Sequence, residues 1–514
     1  MVQILDAHPI TPPPAEVDIA VAGAGPAGAT AAGLLAQLGY RVALLERAAF
    51  PRYHVGESLT PAIDPLLSFL GIREQIVDAG FMRMPGHTFR WNGDERTSYF
   101  GATAAGEVLG YQVWRARFDR LLLAHARALG ATAHMRHAVT AVVREGSDQR
   151  VAGLLYRGPD RAPRALRARL TIDATGMTGI LARRLGGRAR EEAVPSFLAI
   201  WGYWRGAGDP PGRDAINTYV ESFPDGWIWT VRVRPDLRNV TVMTDLASAR
   251  PALRTLGLRR FYEEQVQATV ATRGFLSGAR LATRLRTCDG SWYRAQAVGG
   301  PGYLVAGDAA SYVDPLTSQG VRKAISSGMT TAVVANTILR EPALATAALA
   351  YGLGAEERSY LQFRDSAIRS LTAEERFADR PFWARRAAAL LPVPGPEPPP
   401  PRRDALKDAA RRAPLHRIRL TWAAGARIEE KPQVVRNILR MRTVVATAML
   451  PAGVEAPGLD LVHLFPLVAR RQPLPAVVDG YLAAAGRSRD ERAQVLAALE
   501  ALADAGALDL EIES

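Results

Sequence analysis

Val17–Arg47 reads VDIAVAGAGPAGATAAGLLAQLGYRVALLER, and this stretch decides the fold. The apolar run Ile19–Val21 delivers Gly23-Ala24-Gly25-Pro26-Ala27-Gly28 into a small-residue pattern of helical period. Gly23 permits a tight turn, Gly25 lets the backbone approach a pyrophosphate, and Gly28 lets the helix pack closely on the strand. A diphosphate then rests on the amides and dipole of the helix start. A second apolar run, Val42–Leu45, ends at Glu46, about 20 residues on, where a carboxylate holds ribose hydroxyls, with Arg47 beside it. Strand, turn, helix and acid agree on an adenine-dinucleotide site.

At 514 residues the chain is long enough for about three domains and a sizeable core. Its net charge of +13 comes from arginine, because only Lys323, Lys407 and Lys431 among the 64 basic residues are lysines. A solvated basic surface is the plain reading of that charge, and an acidic partner is the alternative. Cys288 is the single cysteine, which excludes disulfides within the chain and multi-thiolate metal sites, and no metal is expected. No apolar run approaches the ~20 residues needed to span a bilayer. The opening MVQILDAHPITPPPAEVD lacks the basic start and apolar centre of a signal peptide. A cytoplasmic protein with no membrane partner is expected.

Residues 1–16 read as a lead-in. After the dinucleotide unit comes Phe50-Pro51-Arg52-Tyr53-His54-Val55-Gly56-Glu57-Ser58, a polar loop, then an amphipathic pattern over Ala62–Leu70. Residues 81–110 read as extended segments with turns at Pro85-Gly86 and Asn92-Gly93, a sheet inserted into the nucleotide fold. Gln112–Arg127 has helical spacing, and Arg115 stands at its head, where a guanidinium meets a phosphate or the cofactor. Short strands over 131–172 lead into Asp173-Ala174-Thr175-Gly176. From Ser196 to Asp245 the alternation is β-like, and Trp201, Tyr203, Trp204, Tyr219, Trp227 and Trp229 form a natural roof for an aromatic substrate. Tyr303–Ala310 is a strand opening onto Gly307-Asp308, and Asp314-Pro315-Leu316-Thr317-Ser318-Gln319-Gly320 precedes a helix from Val321 whose start presents amides. Pro392 ends the helical patterns, and PVPGPEPPPP forms a stiff spacer. Ala476–Ala485, Asp490–Ala505 and a strand-like end resemble a small winged-helix module. Asp490–Ala505 carries Arg492 alone against four acids, so no nucleic-acid partner is expected.

With these pieces assembled, residues 17–375 resemble the flavin-dependent halogenases and their relatives among class A flavoprotein monooxygenases. The motifs that carry the resemblance are GAGPAG, PRYHVGES, DATG and GPGYLVAGDAASYVDPLTSQG. The resemblance implies an α/β fold: a glutathione-reductase-type Rossmann domain for FAD (17–80, 111–185 and 285–391) interrupted by a substrate-binding β-sheet domain (81–110 and 186–284). A proline-rich linker (392–403) and a helical, winged-helix-like region (404–514) follow. It also implies that Gly23, Gly25, Gly28, Glu46, Arg115 and Asp308 contact FAD. Pro26, Ala27, Arg47, Thr175, Gly176 and Gly307 lie with them, and Pro315–Gly320 flank the flavin ring.

Two departures bear on the reaction. Halogenases use a lysine in the sheet segment after GES to hold hypohalous acid and aim it; here Phe81–Trp91 contains none, and the matched position is Met84. Arginine stays protonated, so Arg83 or Arg90 is no simple substitute. The family's Trp-x-Trp-x-Ile-Pro signature is half retained in Trp227-Ile228-Trp229-Thr230-Val231-Arg232. The leading expectation is therefore an FAD-dependent monooxygenase that hydroxylates an electron-rich phenol or indole by way of a flavin C4a-hydroperoxide. Its substrate is free or borne on a peptide, protein or carrier. A halogenase that uses Lys323 or a non-lysine site is the alternative. Candidates for catalysis are His54, Glu57 and His87 for substrate protons, Arg90 for an anionic substrate, and Pro315, Ser318, Gln319, Gly320 and Lys323 beside the flavin. With no second nicotinamide fingerprint visible, a separate NAD(P)H-dependent flavin reductase is the expected partner.

Overall fold

The computed structural model describes residues 12–103, 106–191, 194–389, 404–447, 454–456 and 458–513. Most of the lead-in and the proline-rich linker lie outside the described residues. The chain forms two compact units, Met1–Pro392 and Val393–Ser514.

In the first unit, β1 (Glu16–Ala22), α1 (Pro26–Gln37) and β2 (Val42–Glu46) are the predicted nucleotide unit. β2 is buried along its whole length, as a continuous apolar run in a sheet covered on both faces must be. After the short helices Asp64–Phe69 and Arg73–Asp78 come three strands: β3 (Met82–Met84), β4 (Gly86–Trp91) and β5 (Asp94–Tyr99). Asn92 and Gly93, both at positive φ (55° and 85°), make the two-residue turn that joins β4 to β5. After β6 (Gly110–Gln112) and α2 (Arg115–Ala128) come β7 (Thr132–Met135), β8 (Ala138–Glu145), β9 (Arg150–Arg157) and β10 (Pro163–Asp173). The first sheet runs β7-β2-β1-β10-β9-β8. Its left part is parallel, with Ile19 opposite Val42 on one side and Leu170 on the other.

The second sheet is built from β11 (Phe197–Arg205), β12 (Thr218–Phe223), β13 (Gly226–Arg234), β14 (Leu237–Asp245), β15 (Arg280–Leu281) and β16 (Arg286–Asp289). β4 and β5 complete it in the order β15-β11-β14-β13-β12-β4-β5, and β16 also pairs with β11. Strand alternation sends the aromatic run to two faces rather than one. Tyr203, Trp227 and Trp229, with Trp201 against them, pack on one side. Trp204 packs on the other, its indole N–H donating to Tyr262 in the helix Leu246–Gln267, and Tyr219 lies edge-on to Phe275. The roof is thus half of what the run of aromatics suggests.

β17 (Tyr303–Val305) returns to the first sheet beside β10. Then α3 (Gly320–Arg340), α4 (Ala345–Thr372) and α5 (Pro381–Ala389) close the unit.

The second unit holds α6 (Ala405–Arg412), β18 (Ile418–Trp422), a hairpin of β19 (Arg427–Val435) and β20 (Ile438–Ala446), then α7 (Leu461–Ala469), α8 (Leu474–Ala484), α9 (Arg492–Asp504) and β21 (Leu508–Ile512). β21 pairs antiparallel with β18. The last two helices and the strand fall where the periodicity predicts. The hairpin, however, precedes the three helices, whereas a winged helix carries its wing after the last of them.

Candidate functional site

A cavity of about 780 Å³ runs from the glycine turn of the first sheet to the aromatic face of the second. At its near end Gly23 holds φ +99°, and a Cβ on Gly28 would lie 1.9 Å from the Gly23 carbonyl oxygen. These two glycines close the turn, and Gly28 packs behind it. Gly23, Gly25, Pro26 and Ala27 line the cavity. Beside Gly25 sits Arg52, which the sequence reading left unassigned: its Nη2 is 3.5 Å from Asp119, and its Nε is buried with no partner. Its Nη2 lies 3.5 Å from where a Cβ of Gly25 would stand, so a guanidinium sits beside the helix start, a placement that fits a diphosphate.

Glu46 and Arg47 line the same end; Glu46 accepts from the amides of Ala24 and Ala48, both at 2.9 Å. Thr175 and Gly176 also line it. Arg115 reaches the cavity, but its donors serve its own chain. Nε and Nη2 grip Asp119 at 2.8 and 3.1 Å, and Nη1 donates to the Val55 carbonyl at 2.8 Å. It therefore orders the Phe50–Glu57 loop as well as adding charge.

Further along the cavity Asp308 lines the wall while Gly307 lies behind it. Burial holds the Asp308 carboxyl above its ordinary value despite Lys323 and Arg115. Pro315, Ser318 and Gly320 line the wall; Gln319 does not, its side-chain oxygen accepting from Arg322. Two of the expected amide donors are already committed: Leu316 N to Asp314 and Ser318 N to the Pro315 carbonyl. At the start of α3 the amides of Gly320 and Val321 lack an intrahelical acceptor, and both residues line the cavity.

Lys323 is not a flavin-side residue. It is buried between α3 and α4, donates to the carbonyls of Gly307 and Ser311 at 3.2 and 2.7 Å, and lines a separate small cavity. His87 and Arg90 are also turned away. The His87 ring packs edge-on to Phe89 and Phe100, and burial pushes its pKa down to about 4. Arg90 lies beside Glu95 and Glu221, and neither His87 nor Arg90 lines the cavity. His54 and Glu57 do line it. His54 is open to solvent at the cavity wall; crowding by surrounding protein atoms and then the Arg115 charge lower its pKa. Burial raises Glu57 to about 7, against the hydrogen bond that Tyr203 donates at 2.5 Å and the Arg115 charge. A carboxyl so placed can hold or release a proton near neutrality.

The sheet end is formed by Ala199, Thr218, Val220, Trp227, Trp229, Arg286 and Cys288. Met84 stands just behind it, fully buried, its sulfur 3.5 Å from Thr218 Oγ1 and 3.7 Å from Ser58 Oγ. The groove and the donor set at its glycine end fit FAD. Among the described residues no cluster of metal-ligating side chains occurs, and no helix is long and apolar enough to cross a membrane.

The sequence profile of the FAD binding domain family matches residues 16–352. Over 328 residues the chain is 31% identical to tryptophan 2-halogenase of Chondromyces crocatus, a match covering 63% of this chain and 62% of that protein, less than two thirds of its length. Among solved structures it is similar to CmlS, a flavin-dependent halogenase, with a TM-score of 0.74 and 27% identity over 97% of this chain and 96% of that one. It is also similar to the peptidyl tryptophan dihydroxylase QhpG, essential for tryptophylquinone cofactor biogenesis. There the TM-score is 0.68, with 25% identity over 95% of this chain and 99% of that one.

Proposed function

Because the chain belongs to the FAD binding domain family, as a flavin-dependent, halogenase-like FAD oxidoreductase, we propose that it transfers an electrophilic halogen to an electron-rich aromatic ring. The observation that carries this reading is one continuous cavity with dinucleotide-holding groups at one end and the Trp227–Trp229 pair at the other. The names of the relatives support halogen transfer over the hydroxylation with which the sequence reading leads. Bound reduced FAD supplies the electrons that activate dioxygen. The chain's own part is to position the ring on Trp227 and Trp229, to keep water from it, and to present the Gly320 and Val321 amides to developing negative charge. Glu57, hydrogen-bonded to Tyr203, takes up or returns a proton at its carboxyl oxygen. Reducing equivalents come from a separate NAD(P)H-dependent flavin reductase.

Hydroxylation is the second reading, and a specific observation favours it: Met84 occupies the place of the halogenase lysine, while Lys323 is sealed elsewhere. The similarity to a peptidyl tryptophan dihydroxylase over nearly the whole chain adds a peptide- or protein-borne indole to the substrates it would take. An intact-mass assay with reduced FAD, oxygen and either chloride or bromide separates the two. Product mass that follows the halide supports halogen transfer; a gain of one oxygen under both halides overturns it in favour of hydroxylation.

A further inference from the structure

We propose that Arg286 is an anion subsite at the mouth of the cavity, and that the aromatic substrate carries a carboxylate which this guanidinium holds. The inference rests on the reading that an aromatic substrate occupies the sheet end.

Four arginines line the cavity: Arg47, Arg52, Arg115 and Arg286. Three belong to the dinucleotide end, since Arg47 follows Glu46 and both Arg52 and Arg115 face Asp119. Arg286 alone comes from the antiparallel sheet, on the short edge strand β16. Residues two apart on a strand share a face. Arg286 therefore points the same way as Cys288, which lines the cavity together with its register partner Ala199.

Arg286 is also unpaired. Among the described residues no carboxylate meets it, and its recorded contact is its guanidinium carbon 5.8 Å from the centroid of the Tyr53 ring. Four other arginines of this region find an aspartate: Arg190 takes Asp289, Arg205 takes Asp236, and Arg232 and Arg238 share Asp209. A cation with no carboxylate against it, lining a concave site with an aromatic end, has the placement of a group that orients a ligand.

The surroundings fit an aromatic acid. Tyr53, half exposed and lining the cavity, stands edge-on to Trp114 with ring centroids 5.4 Å apart. Trp227 and Trp229, two apart on β13, offer tilted rings 5.3 Å apart deeper in. No lining carboxylate opposes an incoming anion strongly. Glu46 is held by two amides, Asp308 lies at the flavin end, and Glu57 is engaged by the Tyr203 hydroxyl, with burial raising its pKa. A ring seated on the tryptophans places a short acidic side chain toward the mouth.

The test uses FAD-loaded protein and two matched probe pairs, indole-3-acetate with indole-3-acetamide and 4-hydroxyphenylacetate with its amide. Binding is followed by calorimetry and by perturbation of the flavin spectrum. An acid should bind about tenfold more tightly than its amide, the size of one charge-assisted hydrogen bond at a partly wet site. Arg286→Gln should remove that preference by weakening the acid alone, and Arg286→Lys should keep part of it, with FAD content and melting temperature unchanged in both. Equal affinity for acid and amide, a preference that survives Arg286→Gln, or no binding of either acid overturns the subsite. Product analysis reports separately on the reaction. Acids that bind through Arg286 yet yield neither halogenated nor oxygenated product leave the subsite standing and count against the proposed chemistry, whereas amides converted as well as acids count against the subsite alone.

Discussion

Lys323 Nζ and the Glu356 carboxylate meet at 3.1 Å between α3 and α4, and together they grip the turn that carries Asp308 into the large cavity. Lys323 donates to the carbonyls on either side of that turn, at Gly307 and Ser311. Glu356 accepts from the Ser311 hydroxyl at 2.5 Å and from Ser327, whose oxygen in turn accepts from the Gly307 amide. The ammonium has spent its three donors. Lys323→Met leaves the partly buried Glu356 carboxylate without its cation, which costs about 3 kcal/mol. The variant should melt lower and release FAD on gel filtration, while the ratio of halogenated to oxygenated product in whatever flavin it retains stays unchanged. A variant of full stability and full FAD content that loses only halogen transfer would return Lys323 to the chemistry.

The glycine turn gives a sharper test of the cofactor end. Gly28→Ala sets a methyl 1.9 Å from the Gly23 oxygen, and Gly23 cannot yield because its own φ of +99° and the Ala174 carbonyl 2.3 Å from a Cβ position fix it. The helix start must shift, and with it the amides beside Arg52. Protein purified with Gly28→Ala should be folded by circular dichroism and colourless. Gly25→Ala, where the nearest atom is Arg52 Nη2 at 3.5 Å, should keep partial FAD binding, read as flavin absorbance per chain.

What the sequence discloses here is what local pattern encodes. The strand, turn, helix and acid of residues 17–47 are contiguous, so their geometry follows from their order, and the same holds for the Asp308 turn. Direction is another matter. Lys323 follows the loop at Gly320 by one turn, yet the helix rotates it onto α4, where it meets Glu356. His87 and Arg90 lie in the right strand but face Phe100 and Glu221, which no spacing within β4 reveals. Arg52 and Arg286 escape notice for a related cause: each matters through a neighbour distant in the chain, Asp119 for one and the β11 register at Ala199 for the other.

Glu57 sets a pH dependence of known sign. Burial raises its folded value to about 7 from the ordinary 4.5, so between those values the folded chain binds more protons than the unfolded one. Stability contributed below 4.5 is therefore lost as pH rises through the window to 7. Glu57→Gln keeps an acceptor for the Tyr203 hydroxyl and does not titrate. In flavin-free protein the stability of Glu57→Gln relative to wild type should rise by roughly 2–3 kcal/mol between about pH 4.5 and about pH 8. Denaturant melts across that range check it, and a flat difference would show that Glu57 titrates at its ordinary value.

Met84 supplies the most direct handle on the reaction. Its sulfur lies among Thr218 Oγ1, Ser58 Oγ and Gln112 Nε2 at 3.5, 3.7 and 3.9 Å, and Gln112 Oε1 is buried without a partner. Ser58 and Thr218 both line the cavity. Met84→Lys brings an amine of similar length to three oxygen acceptors, and burial lowers its pKa enough to leave a neutral fraction. Bromide-dependent product should then rise relative to oxygenated product, whichever of the two wild type favours. Met84→Arg should not raise it, because a guanidinium stays protonated there. A folded, FAD-loaded Met84→Lys whose product ratio equals that of wild type would mean that residue 84 has no access to the reacting ring, and the argument for hydroxylation from its identity would fall with it.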